Sequence, residues 1–418
     1  MPLFLHAADI HLDSPLRGLE RYEGAPVNEI REATRRAFEN LVDLAIEREV
    51  AFVVLAGDLY DGDWKDYRTG LFFTTQMSRL RQSGISTYVL AGNHDAQSQL
   101  TKHLKPPDNV HVFSTEAPQT FVSEAAGVAL HGQGYPTRAV TEDLSVAYPA
   151  PVRGLLNIGV LHTSVDGRED HEPYAPCSLA GLRTHGYQYW ALGHVHVREV
   201  LSTDPWVVFP GNLQGRHARE TGPKGATLVS YKGDEIQSVE AIPLDVLRWV
   251  VIEIDAAEAQ RPDAVVDLVR GALERARDEA DGRLLAARVV VQGATKAHAA
   301  LVREAERWTS QIRAAATDLG DVWIERVRLR THTVLDLGRL RERDDAVGAL
   351  VRALDGLDQD PAAAVAYGTE LDDLRQKLPG HLVVAPEVPP AGDAVALRHA
   401  LEDAKEILLS RLVEGNDA

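Results

Sequence analysis

Near its start the chain carries three short apolar runs that leave little freedom in how it can fold. Residues 3–9, Ala51-Phe-Val-Val-Leu-Ala56 and Thr87-Tyr-Val-Leu-Ala91 are too short for buried helices, and the second is apolar throughout. That is the mark of a strand buried on both faces. Between the runs, Ile30, Thr34, Ala37, Leu41 and Leu44 recur at helical spacing over 28–48, and Phe73, Met77 and Leu80 do so over 66–83. Strand, helix, strand, helix, strand demands a parallel sheet covered by helices, so the predicted class is α/β.

Several short strands follow over 110–132, then strands at 155–161, 188–193, 197–202 and 206–210. A hairpin over 225–242 turns at Lys232-Gly233-Asp234. Beyond residue 217 polar clusters cease. From 247 to 330 the pattern is strand (Leu247–Ile254), helix (262–280), strand (287–292), helix (296–316) and strand (321–330), a smaller α/β unit. Residues 336–378 read as helical, with Tyr367, Leu371, Leu374 and Leu378 on one face. Pro386 to Pro390 reads as a linker. A last helix from Asp393 carries Leu397, Leu401, Ala404, Leu408 and Leu412 on one stripe. The expected regions are 1–244, 245–335 and 336–418.

One cysteine, Cys177, among 418 residues excludes an intrachain disulfide framework and a thiolate zinc site. The N-terminus has no basic stretch, and no run reaches roughly 18 apolar residues, so the expectation is a cytoplasmic protein with no membrane association. A net charge of −18 argues against a broad basic face for nucleic acid. It leaves room for a local positive site, because bound cations can be the largest charges there.

Five polar clusters each close an apolar run: Asp9-Ile-His11, Gly57-Asp58, Gly92-Asn-His-Asp95, His162 and Gly193-His-Val-His196. In open α/β sheets ligands bind at that edge. Residues two apart on an extended segment face the same side, so each Asp-x-His or His-x-His pair can serve one ion. Either pair alone is more often a strand-end accident; five in series are not. Seven candidate ligands, Asp9, His11, Asp58, Asn93, His162, His194 and His196, are too many for one ion with an open position. They suit two divalent ions about 3.5–4 Å apart, the arrangement that clamps both oxygens of a phosphoryl displacement. Carboxylate, imidazole and amide donors without thiolate suit Mn²⁺ first, with Zn²⁺ and Fe²⁺ as alternatives. His6, His103, His111, His131, His171, His185 and His217 lack a partner at ligand spacing and read as structural, His217 least firmly of the seven.

The order of these clusters resembles the calcineurin-like metallophosphoesterase superfamily. His6-Ala-Ala-Asp-Ile-His-Leu12, Ala56-Gly-Asp-Leu-Tyr-Asp61, Ala191-Leu-Gly-His-Val-His196 and Phe209-Pro-Gly-Asn212 resemble its SbcD-like DNA repair exonucleases. Gly211-Asn-Leu-Gln-Gly-Arg-His217, with Glu220 and Lys224-Gly225, is similar to the bacterial YhaO-like branch. The likeness is strong over roughly 1–240 and one of architecture beyond.

The resemblance implies a four-layer α/β sandwich, a smaller α/β cap over 245–335 that helps select DNA, and C-terminal helices. It implies one ion on Asp9, His11, Asp58 and His196 and a second on Asp58, Asn93, His162 and His194. His94 would touch the scissile phosphate and help protonate the leaving oxygen, with Asp95 orienting His94 or His162. Asn212, Arg216 and His217 are the expected substrate contacts, although Asn212 departs from the Ser usual after Pro-Gly in SbcD-like sequences. The implied activity is 3′–5′ exonuclease and single-strand endonuclease action in DNA repair. The implied partners are DNA, an SbcC-like coiled-coil ATPase docked on the Leu397–Leu412 stripe, and a second copy of the chain; action on DNA would place the protein at the nucleoid. The alternatives are a small-molecule phosphodiesterase or phosphatase on the same scaffold, and a non-catalytic adaptor, which would have lost ligands.

Overall fold

Alternation along the strands builds four layers. In β1 (Leu3–Ala7) and β2 (Phe52–Ala56), Leu5, Ala7, Val53 and Leu55 point one way, against α1 (Val27–Glu47) and α2 (Tyr67–Gln82). From those helices come Ala37, Phe38, Leu41 and Ala45, and Phe73, Met77 and Leu80. Phe4, Phe52 and Val54 point the other way, joined by Tyr88 and Leu90 of β3 (Ser86–Leu90). They meet Leu130 of β6 (Val128–Gly132), Ile158 and Val160 of β7 (Leu156–His162), and Tyr189 and Ala191 of β8 (Tyr189–Gly193). The outer face of this second sheet turns Leu161, Trp190 and Leu192 onto Leu182 of the short α3 (Leu179–Arg183).

The first sheet adds β4 (Val110–Val112), β11 (Gly225–Lys232) and β12 (Glu235–Pro243), in the order β12-β11-β1-β2-β3-β4. The second adds β5 (Gln119–Ser123), β9 (Glu199–Thr203) and β10 (Trp206–Phe209), in the order β5-β6-β7-β8-β10-β9. β1 to β4 are parallel, as the repeating strand–helix pattern requires. The predicted hairpin forms, and its β11 runs antiparallel to β1 with Leu5 opposite Leu228. Nothing local in the sequence announces that pairing, because it joins segments more than 200 positions apart. The carboxyl ends of β1, β2, β3, β7 and β8 are where the five polar clusters sit.

The computed structural model describes residues 1–14, 26–61, 67–97, 107–166, 174–334 and 337–357. The chain divides into two compact units. One is Met1–Val251 with Leu273–Arg288 and Leu319–Glu325; the other is Ile252–Ala272 with Val289–Asp318 and the residues from Arg326 onward. β13 (Leu247–Asp255), β14 (Leu284–Ala294) and β15 (Val322–His332) form a three-stranded sheet and contribute residues to both. Helices α4 (Pro262–Glu279), α5 (His298–Arg303) and α6 (Ala305–Asp318) lie between those strands in sequence. The single helix expected over 296–316 is thus two, broken at Glu304, where φ is −119° and ψ 39°. No Pro or Gly marks that break in the sequence.

Two further helices, α7 (Leu337–Arg341) and α8 (Ala346–Leu357), fall in the region expected to be helical. The Tyr367–Leu378 face, the Pro386–Pro390 linker, the helix from Asp393, the Leu397–Leu412 stripe, His103 and His171 lie outside the described residues. No helix among the described residues is long and apolar enough to cross a membrane.

One core contact gives a direct test of packing. A Cβ on Gly159 in β7 would lie 2.3 Å from Cε3 of Trp190. That ring cannot retreat easily: its Nε1–H donates to Leu182 O at 3.1 Å and its face stacks on Tyr148. Gly159→Ala is therefore expected to lower the unfolding free energy by about 1–3 kcal/mol in chemical denaturation, the usual cost of overpacking.

Candidate metal centre

Backbone geometry at the strand ends is unusual and concentrated. Asp9, His11, Asp58 and His194 have φ of 52°, 47°, 52° and 102°, in the left-handed region that non-glycine residues avoid. Such conformations persist only where surrounding contacts enforce them, and they cluster at functional sites. Here Asp9 N–H donates to Gly57 O and His11 N–H to Asp58 O, both at 3.0 Å. Two glycines make room: a Cβ on Gly92 would lie 2.3 Å from Asp58 Oδ1, and one on Gly57 2.3 Å from His162 Nδ1.

The side chains converge as two groups of lone pairs. In the first, His11 Nε2 faces His196 Nε2 at 3.3 Å, and His196 Nε2 is 3.7 Å from Asp9 Oδ1. In the second, His162 Nδ1–H donates to Ala56 O at 3.0 Å, which leaves its Nε2 as the acceptor end. That nitrogen nevertheless meets two more acceptors, Asn93 Oδ1 at 2.9 Å and Asp58 Oδ2 at 3.4 Å. Asp58 Oδ2 also lies 3.9 Å from His11 Nε2, so one carboxylate oxygen is within reach of both groups. Acceptors this close, and nearly all buried, call for positive charge between them, supplied by a proton or by a metal ion. The residues fit two divalent ions, with Asp58 shared. His194 is placed alongside: its N–H donates to Asp9 Oδ2 at 3.0 Å, and its ring packs edge-on against His162 with centroids 5.2 Å apart.

Electrostatics agree with that fit. Burial alone would lower the His162 imidazole pKa, yet the Asp58 charge and hydrogen bond outweigh it and push it up to about 9. Burial alone would raise Asp58, but His162, His11 and His94 hold it well below the usual carboxylate range. The pocket calls for positive charge.

His94 is set apart from these groups. Its side chain is 32% exposed where His162 is fully buried. Its N–H donates to Asp58 Oδ1 at 2.9 Å, and its ring Nδ1 is 2.9 Å from Asp61 Oδ1. Asp61 is in turn fixed by Ser14 Oγ–H at 2.6 Å. The hydrogen bond to Asp61 raises the His94 pKa above its ordinary value.

Asp95 plays a different part from the one expected of it. Its carboxylate accepts from the backbone N–H of Tyr60 at 2.8 Å, Gly92 at 3.0 Å and Leu59 at 3.1 Å. It clasps the loop after β2 to the loop after β3 and does not orient an imidazole; Asp61 does that for His94. Burial, then the charge of Asp58, lift the Asp95 pKa to about 6 against those three donors.

The three expected substrate contacts separate. Asn212 is fully buried, its amide donating to Gln214 O at 2.8 Å and Glu220 Oε2 at 3.1 Å, so it braces its own loop instead of reaching substrate. His217 has a 55% exposed side chain at the loop surface. Arg216 reaches the site, with Nη1 3.7 Å from Asp61 Oδ2. Of the histidines read as structural, His6 is buried and bonded to Tyr189 Oη and Leu192 O, and His131 to Thr120 and Asn157.

Two residues quoted in the motifs were given no role from the sequence. Asp61 lies three positions after Asp58 in a quoted motif, a spacing that could have suggested a role. Glu220, 2.7 Å from His196 Nδ1, is 24 positions downstream with no spacing rule to find it.

The geometry separates ligand from non-ligand by experiment. Asp58→Ala is expected to lose both cations, because one oxygen serves both groups. His94→Ala is expected to keep both, because His94 belongs to neither of the two groups that share Asp58 and its Nδ1 faces Asp61 instead. Metal content of the purified variants reads the difference.

The profile of the calcineurin-like phosphoesterases matches residues 2–198, and that of the metallophosphoesterase YhaO middle domain matches 249–332. A Bacillus subtilis (strain 168) protein named "Uncharacterized metallophosphoesterase YhaO" is 37% identical over 69% of this chain and 71% of its own. Two proteins named "DNA double-strand break repair protein Mre11" are more distant. That of Sulfurisphaera tokodaii is 25% identical over 60% of this chain and 65% of its own, and that of Methanopyrus kandleri 26% over 46% and 44%. A solved dimetal phosphatase from Danio rerio aligns with 58% of this chain and 97% of its own at 12% identity and a TM-score of 0.35, too slight a likeness to bear on substrate. A phosphoesterase profile over the residues that carry both cation groups, and more than a third identity to YhaO across most of either chain, have one meaning: the chain belongs to the calcineurin-like metallophosphoesterases, in their YhaO-like branch.

Proposed function

We infer that this phosphoester hydrolase acts on DNA, as a Mn²⁺-dependent 3′–5′ exonuclease and single-strand endonuclease of SbcD-like type in DNA repair. The observation that carries the hydrolytic part is the pair of acceptor groups sharing Asp58, with one exposed imidazole held beside them. Support for DNA comes from the distant relatives named for DNA double-strand break repair.

Two divalent ions would neutralise the phosphate and lower the pKa of the attacking water. The protein's own groups do the rest. Asp9, His11 and His196 would hold one ion and Asn93, His162 and His194 the other, and Asp58 would serve both. Asp61 takes the Nδ1–H of His94, which leaves Nε2 at the exposed end of the ring. A protonated His94 can donate from Nε2 to a phosphoryl oxygen and then to the leaving oxygen. Its raised pKa keeps that proton in place below the folded value and gives it up as pH rises.

The pH dependence follows. Activity is expected to fall on the basic side as His94 deprotonates, and in Asp61→Asn that limb moves to lower pH, because the stabilising carboxylate is gone. His94→Ala should lose about 10²–10⁴-fold in turnover with both ions retained. A pH–rate series on the three proteins checks both statements.

The net charge of −18 favours a second reading, a phosphodiesterase or phosphatase for small molecules. Purified protein with Mn²⁺ is expected to shorten linear duplex from its 3′ ends and to nick single strands. Intact DNA alongside fast hydrolysis of a small phosphodiester would decide for the second reading.

A further inference from the structure

The loop after β10 carries a carboxylate more densely bonded than any surface role requires. Glu220 is 5% exposed. Its Oε1 lies 2.7 Å from His196 Nδ1 and accepts from Arg216 Nη2 at 3.2 Å. Its Oε2 accepts from Arg216 N–H at 2.7 Å and Asn212 Nδ2 at 3.1 Å. Both oxygens are saturated by donors, so the group can neither rotate nor give up its charge cheaply. Lys224 Nζ donates to His196 O at 2.7 Å and fixes the backbone of the same histidine.

We propose that Glu220 is the positioning residue of the metal centre: it holds His196 in the Nδ1–H tautomer, so that Nε2 presents a lone pair to the ion shared with Asp9 and His11. A carboxylate has no proton to offer, so the nitrogen facing it must carry one. The other nitrogen is then aimed at His11 Nε2, 3.3 Å away. This rests on the two-ion reading of the site and is independent of the substrate.

Glutamine at 220 cannot reproduce the arrangement. With its oxygen toward His196, its amide meets two further donors, Arg216 N–H and Asn212 Nδ2. With its amide toward His196, it donates to Nδ1 and drives the proton to Nε2, where it blocks the ligand position. The first orientation sets donor against donor and the second removes the lone pair at Nε2, so Gln holds the ligand-ready form less firmly than Glu.

Two measurements on the full chain test this. Long-range ¹H–¹⁵N spectra of the metal-free protein at a pH where its imidazoles are neutral are expected to show His196 as Nδ1–H. An Nε2–H signal in the unaltered protein would overturn the proposal without recourse to any variant. Titration with Mn²⁺ is expected to show Glu220→Gln binding one ion about 10–100-fold more weakly, the usual effect of losing such a partner, with the other ion changed by less than about threefold. Equal weakening of both ions, or of neither, would overturn it as well. Failure to cleave DNA would sink the nuclease reading and leave both results standing.

Discussion

A buried carboxylate, Asp58, stands where the ends of the two sheets meet, and the groups around it are arranged to make its charge tolerable. Removing a carboxylate from water costs several kcal/mol unless partners compensate. Here His94 N–H binds one oxygen, while His162 and His11 approach the other. The shared oxygen makes the two acceptor groups one centre instead of two neighbouring ones. Left-handed turns at Asp9, His11, Asp58 and His194 bring the strand ends close enough, and Gly57 and Gly92 remove the Cβ atoms that would stand in the way.

The centre also explains how an acidic protein can handle an anionic substrate. Net charge describes the far field, which salt screens within about 10 Å. Two divalent ions add four positive charges at a point where the groups holding them supply two carboxylates, Asp9 and Asp58. The local sign is therefore opposite to the global one, and substrate meets the local field at contact distance.

Around this centre the structure builds supports of a second kind. Asp61 holds His94, Glu220 holds His196, and Asp95 clasps two loops by three backbone N–H groups. Each is a carboxylate on a donor, and each fixes a group that must point in one direction. Arg216 lies between two of them, 3.7 Å from Asp61 and 3.2 Å from Glu220, so the supports of His94 and of His196 lean on the same guanidinium.

Most of the layout was legible in the residues. Apolar runs such as Phe52–Ala56 can only be central strands, helical spacing placed α1 and α2 within a residue of their observed ends, and polar clusters at strand ends can only gather at one edge. What periodicity and spacing report is local, and those features are local. The pairing of β11 with β1, the break at Glu304, the burial of Asn212 and the partners of Asp95 were settled by contacts between distant segments, about which a linear pattern carries no information. The order of residues was enough to say which chemistry this chain could hold; which carboxylate faces which imidazole came from the folded arrangement, because a hydrogen bond depends on distance and direction in space and not on position along the chain.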